Sequence, residues 1–153
     1  MSADANLEKY RSEVPPPAKP IGVYKPYVIS GNLLYTSGHL PSLPDGTLLT
    51  GRVGDEVDQE AGYQAARQTG LALLSTLQEA VGSLSRVKLV KIVGLVNCTA
   101  DFKEHPGVVN GCSELFKEVL GDEAGVGARS AFGLVSLPKN VTTEIEAIFE
   151  IIE

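Results

Sequence analysis

"ARSAFGLVSLPKNVTTEIEAIFEI", residues 128–151, reads as two strands about one turn. The second strand alternates: Ile145, Ala147, Phe149 and Ile151 point one way, and Glu144, Glu146, Ile148 and Glu150 the other. The first, 129–136, is apolar apart from Arg129 at its mouth, and "LPKN" joins the two. If that turn closes a symmetric hairpin, Glu144 lies opposite Gly133 and Arg129 opposite Ile148, roughly 13 Å apart along the strand. A guanidinium stays charged in any protein setting and presents a planar fork that matches a carboxylate. Its neighbours on the same face, Ala131 and Gly133, are small and leave space in front of it. Two readings stand at this point: a surface arginine whose stem covers apolar neighbours, or an anion holder.

Working outward, "VVNGCSELFKEVLG" before this stretch carries Val108, Cys112, Leu115, Phe116 and Val119 at helical spacing, after a loop at "TADFKEHPG". "RVKLVKIVGLVNC", 86–98, is rich in Val and Ile and interrupted only by lysines, which predicts a central strand. Further upstream, Asp58 offers an N-cap for a helix over 59–81, and Gly82 a stop. That helix has an alanine-rich stripe through Ala61, Ala65, Ala72 and Ala80, suited to lying close on a sheet. "YVIS" and "LLYTS" flank "GN" and predict a hairpin. "TLLTGRVG" can add a short strand, and "PPPAKP" closes an extended arm over residues 1–20. One domain over 21–153 follows.

The order ββ(β)αβαββ predicts an α+β fold, a mixed sheet with two helices packed on one face. The other face, expected to carry Ile148, Ile152, Ala131 and Val135, is too apolar for water, so a symmetric oligomer should bury it.

Composition narrows the function classes. The net charge is −6, and the thirteen Lys and Arg residues are scattered. That disfavours nucleic acid, which needs a basic patch interleaved with aromatics. No apolar run reaches the length of a membrane span, and the first residues lack the basic start and apolar stretch of a secretory signal. The expected location is therefore cytoplasmic, with Cys98 and Cys112 as free thiols. Cys98, His105 and Cys112 recur every seven residues without the paired knuckle of a zinc site, so no metal is expected. Ser37 and His39 share a strand face but form no triad by themselves, and "GRVGDE" lacks phosphate-loop and dinucleotide spacing.

"PIGVYKPYVISGNLLYTSGHLP", residues 20–41, resembles the opening signature of the Rid family, the reactive intermediate deaminases, also labelled endoribonuclease L-PSP. The 128–151 stretch resembles the closing signature, and "ADF" followed by "VN" fits between them. The resemblance implies a chorismate-mutase-like fold assembled as a homotrimer with clefts between subunits. It implies hydrolysis of reactive enamines and imines, such as 2-aminoacrylate, to 2-keto acids and ammonia, with no cofactor and a small carboxylate-bearing substrate. Carried over residue by residue, it puts the substrate carboxylate on Arg129 and water activation on Glu144. Tyr24, Ser37, Gly38 and Asn110 line the cleft, together with His39, where the family commonly has Gln, and Ala131, where its best-studied branch has Cys. With "YKPY" and a longer arm, these departures resemble a divergent subgroup. Two other classes remain beside the deaminase: a non-catalytic module that senses a small carboxylate or contacts a partner through the same clefts, and an RNA binder.

Overall fold

The structure, a computed structural model, describes all 153 residues. Its core is a five-stranded sheet, built from β1 (Tyr27–Ser30), β2 (Leu33–Thr36), β3 (Val87–Asn97), β4 (Ala128–Leu134) and β5 (Thr143–Ile151). The strands lie in the order β1-β2-β5-β3-β4. Two long helices, α2 (Gln59–Val81) and α3 (His105–Ala124), cover one face, and a short helix, α1 (Ala3–Glu8), precedes them. The α+β class and the two-helix layer are as expected.

Local signals set several elements. β1 and β2 pair antiparallel around Gly31–Asn32, with Gly31 at φ 62°, the sign that the first position of a type II′ turn demands. Asp58 caps α2 by accepting the Ala61 N–H at 2.9 Å. Gly82, at φ 85°, ends the helix by donating to the Gln78 carbonyl at 2.9 Å. The two helices meet through glycine notches: a Cβ at Gly111 would run into the backbone of Tyr63, and one at Gly70 into Leu115 and Cys112. Gly94 of β3 makes the same allowance for Val109 of α3.

The last two strands do not form a hairpin. β3 lies between them, parallel to β4 and antiparallel to β5, so β3–α3–β4 is a parallel crossover unit. Eight residues separate Leu134 from Thr143, and the chain turns a corner at Lys139 and Asn140, both at positive φ (55° and 58°). Arg129 therefore faces Ile92 rather than Ile148, and Glu144 faces Leu95 rather than Gly133. Ala131 also moves. It pairs with Gly94 and packs toward α3, so it belongs to the helix-covered face and not the open one. The open face does carry Ile148, beside Val28 (51% exposed), Tyr35 (42%) and Phe132 (45%).

Three smaller expectations also change. "TLLTGRVG" contributes only isolated bridges, Leu48 to Ser42, Thr50 to Val141, and Val53 to both Val57 and Cys98. α3 begins at His105 and runs to Ala124 through a break at Gly121. The arm is not extended throughout, because Ser2 caps α1 and Leu7 enters the core at 4% exposure. Asp4 fastens α1 to the end of α2, accepting the Leu84 N–H (3.0 Å) and the Gln78 amide (3.0 Å) as well as the Ser83 hydroxyl. Burial pushes the Asp4 carboxyl up, but these hydrogen bonds together outweigh it and hold its pKa low. Residues 14–20, without helix or strand, cross α2, where Ser75 donates to the Pro15 carbonyl and Thr76 accepts the Ala18 N–H. This third cover, after the sheet and α3, leaves Leu71–Leu77 buried on every side.

Candidate functional site

Arg129 stands on the β4 edge and leans toward α3. Its Nη1 donates to Asn110 Oδ1 at 2.7 Å and to Ser113 Oγ at 3.1 Å, two residues three apart on one helix face. Both bonds leave from one nitrogen, so the Nε–Nη2 edge has no partner within the chain. The three ion pairs of the protein, Arg11–Glu8, Arg67–Glu13 and Lys117–Asp122, lie elsewhere. A pocket of about 330 Å³ opens beside the guanidinium, with Asn110, Ser113, Glu114, Lys117 and Gly127 in its wall. Ala131 follows on the same strand face and Gly133 after it. Cys98 Sγ and His105 Nε2 converge on the space that a Cβ at Gly133 would occupy. Cys112 lies instead deep against Gly70, its thiol pushed far up by burial, with a smaller opposing pull from Arg129. No group of three or more His, Cys, Asp or Glu side chains converges as a metal site would require.

Glu144 belongs to a different neighbourhood. It sits half-buried on the open face, where burial first and the Glu146 charge second hold its carboxyl above the usual range. Gly38 lies against it so closely that any Cβ there would collide with Glu144 Oε2. Ser37 anchors this corner: its N–H donates to the Pro26 carbonyl at 2.9 Å and its hydroxyl to the Lys25 carbonyl. Tyr24, 48% exposed, lines a pocket of about 450 Å³ together with Gly38.

His39 borders the same pocket, but the residue is only 3% exposed and both ring nitrogens are engaged. Nδ1 lies 2.8 Å from the Ser37 carbonyl and Nε2 2.8 Å from Thr76 Oγ1. Burial lowers its pKa, against a weaker opposing effect of the Ser37 bond. The ring thus joins the strand end to α2 where the residue borders the pocket.

The structure therefore brings Arg129 to Asn110, with Ala131 next on its strand face, and Glu144 to Gly38, which Ser37 adjoins and which shares a pocket with Tyr24, but it separates these two sets. Arg129 aligns with Ile92 and faces the helices, while Glu144 aligns with Leu95 and faces away from them. Three residues along β3 and two strands across put their backbones more than roughly 10 Å apart. One small molecule cannot touch both within one chain. Ser113 escaped the sequence reading, although its place three residues after Asn110 was the available signal.

The sheet order, the crossover and the 128–151 pattern can be set beside known proteins. The family model described as "YjgF/chorismate_mutase-like, putative endoribonuclease" matches residues 5–150. The chain belongs to the YjgF/Rid family. Protein TCP17 of Trypanosoma cruzi is 38% identical over 96% of this chain and 92% of its own. A 2-iminobutanoate/2-iminopropanoate deaminase of Dermatophagoides farinae is 28% identical over 85% of this chain and 87% of its own. The solved structure of Atu1372 from Agrobacterium tumefaciens superposes with a TM-score of 0.88 at 38% identity, covering 97% of this chain and 93% of that one. Within this YjgF/Rid chain no helix is long and apolar enough to cross a membrane.

Proposed function

We propose that the protein hydrolyses reactive imines and enamines of small carboxylic acids, in clefts between the subunits of a homotrimer. The observation that carries this reading is the free Nε–Nη2 edge of a guanidinium already fixed through Nη1. Such an edge is shaped to take a carboxylate through two parallel hydrogen bonds. Family membership and the deaminase relative support the choice of substrate. The separation of Arg129 from Glu144 supports a cleft completed by a second copy, and so does the exposure of Val28, Tyr35 and Phe132 on the open face.

The chemistry follows from these parts. The substrate carboxylate docks on Arg129 of one copy, which fixes the imine carbon for attack. An imine enters the reaction protonated on nitrogen, and an enamine such as 2-aminoacrylate takes a proton on its terminal carbon to give the same iminium ion. Glu144 of the adjoining copy removes a proton from water as the water oxygen bonds to the imine carbon, and the π electrons move to nitrogen. Glu144 then returns that proton to the nitrogen. The carbon–nitrogen bond breaks, ammonia leaves, and the remaining hydroxyl proton is lost to give the 2-keto acid. A carboxyl whose pKa is raised by burial is a better base for this transfer than a free one. Asn110 and Ser113 hold the fork, and Tyr24 covers the cleft.

The test is turnover of 2-aminoacrylate generated in situ, comparing the wild-type chain with Arg129→Ala. Loss of activity with unchanged thermal stability supports the mechanism. Retention of full activity rules it out, and binding of 2-keto acids without any turnover selects the sensor reading instead.

A further inference from the structure

The pocket that holds Tyr24 and Gly38 has a wall that the mechanism above does not use. Pro15 to Lys19 of the arm form one side of it, and Lys139, at the corner before β5, contributes to another. The arm is held there by more than packing. Gln68 donates to the Glu13 carbonyl at 2.9 Å, Ser75 to the Pro15 carbonyl at 2.8 Å, and the Ala18 N–H to Thr76 Oγ1 at 3.3 Å. The proline run needs little ordering once docked, because its backbone is already restricted. The result is a formed wall beside the cleft rather than a loose tail.

Its charge is unusual for this chain. The protein has nineteen acidic residues against thirteen basic ones, yet the pocket lining contains two lysines, Lys19 and Lys139, and no acid. Neither lysine takes part in any ion pair of the structure. The remaining lining is largely apolar: prolines, Ile21, leucines and Ala72. Gly38 connects the pocket to the reacting centre, because the Glu144 carboxylate lies directly against it. A substrate whose imine carbon stands at Glu144 would be one glycine away from this pocket, its side chain directed past Gly38 toward the arm. A volume of about 450 Å³ is ample for several carbons and an acid group.

We propose that this arm-walled pocket is the side-chain subsite of the cleft, and that it selects imino acids bearing a second carboxylate, of the glutamate-derived type, with Lys19 and Lys139 receiving the distal charge. The proposal rests on the deaminase reading for the position of the imine carbon. It goes beyond that reading in naming the substrate class and the residues that choose it.

The experiment compares two imines, 2-iminoglutarate and 2-iminopropanoate, generated by an amino-acid oxidase and trapped with semicarbazide. The quantity read is the ratio of kcat/KM for the diacid to that for the three-carbon acid. The wild-type ratio should exceed one. Each of Lys19→Met and Lys139→Met should lower it roughly fivefold, as expected for an ion pair near the surface. Lys19→Glu should lower it further, and circular dichroism should show all three variants folded. Calorimetry of 2-oxoglutarate and pyruvate binding separates the two ways of failing. If neither imine is hydrolysed but 2-oxoglutarate binds more tightly than pyruvate and the lysine variants lose that preference, the deaminase reading falls and the subsite stands. If both imines are hydrolysed but neither the ratio nor the binding preference responds to the lysines, the subsite is overturned and the deaminase reading stands.

Discussion

Two arginines lie at opposite ends of β4, and they use their forks in opposite ways. Arg52 donates from Nη2 to the Val135 carbonyl at 2.7 Å and from Nε to Asn97 Oδ1 at 3.4 Å. Asn97 is completely buried and passes the connection on, donating to Asn140 Oδ1 at 2.9 Å and to the Val141 carbonyl at 3.1 Å. Arg52 thus uses its flat edge to tie the ends of β3, β4 and the approach to β5. Arg129 is held through Nη1 alone, by two neutral groups, and its flat edge is vacant. A guanidinium braced against neutral partners keeps its charge available, whereas one whose edge is occupied serves as a bracket. The residue type is the same, and hydrogen-bond accounting separates a structural part from a candidate functional one.

Substitution should sharpen that contrast. Arg129→Ala is expected to lower kcat/KM for imine hydrolysis by about 10³-fold while leaving the melting temperature nearly unchanged. Arg129→Lys should regain little, because an ammonium lacks the fork. Arg52→Ala should do the reverse: roughly 1–3 kcal/mol of stability lost in urea titration, from the acceptors left unpaired at Asn97 and Val135, with activity per folded molecule changed only a few-fold. If Arg52→Ala lost activity as Arg129→Ala does, with unchanged stability, the division between the two would be wrong.

Glu144→Gln should cost roughly 10² in kcat by removing the base. Its effect on stability has the opposite sign. A carboxyl whose pKa is raised in the folded state favours folding fully only below its unfolded value near 4.5, and that contribution is lost as pH rises through the folded pKa. The Gln variant should therefore melt higher than wild type at pH 7, with the gain vanishing below about pH 4.5. A lower melting temperature at pH 7 would show that the carboxylate is paired in solution.

His39 provides a smaller effect. Its pKa is lowered by burial, so the stability it contributes is present above about 6.5 and is lost as pH falls through the folded value. Unfolding free energy should drop with acidification below about pH 6.5, and His39→Gln should flatten that slope. Smallest is Ser113→Ala, which removes one of the two groups holding Arg129. A two- to fivefold rise in KM with little change in kcat is expected, corresponding to one neutral hydrogen bond of about 0.5–1 kcal/mol.

The sequence showed most clearly what is decided locally. Asp58 and Gly82 bounded α2 to the residue because caps act over three or four positions. The alternation of β5 placed Glu144 opposite in facing to Ile145 because pleating has a fixed period. Pairing was not legible. "LPKN" between two apolar runs looks like a hairpin turn, yet β3, which lies some forty residues earlier, takes the place between them. α1 was missed for a related reason. A six-residue helix has no stability of its own, and Asp4 and Leu7 hold it only through groups far along the chain. Arg129, Asn110 and Gly38 were readable as candidates from the family pattern, but their division into two separate neighbourhoods followed only once the register was known.

Complementation between two impaired chains tests that division most directly. Arg129→Ala and Glu144→Gln proteins, each expected to retain about a hundredth of wild-type activity or less alone, are unfolded together, refolded as a mixture and assayed for imine hydrolysis. If Arg129 of one copy works with Glu144 of another, roughly a quarter of the clefts in a random mixture combine both intact groups, and activity returns to about that fraction of wild type. Mixed assemblies that form, as shown by mass spectrometry of differently tagged chains, and yet are no more active than the separate variants would contradict the shared cleft.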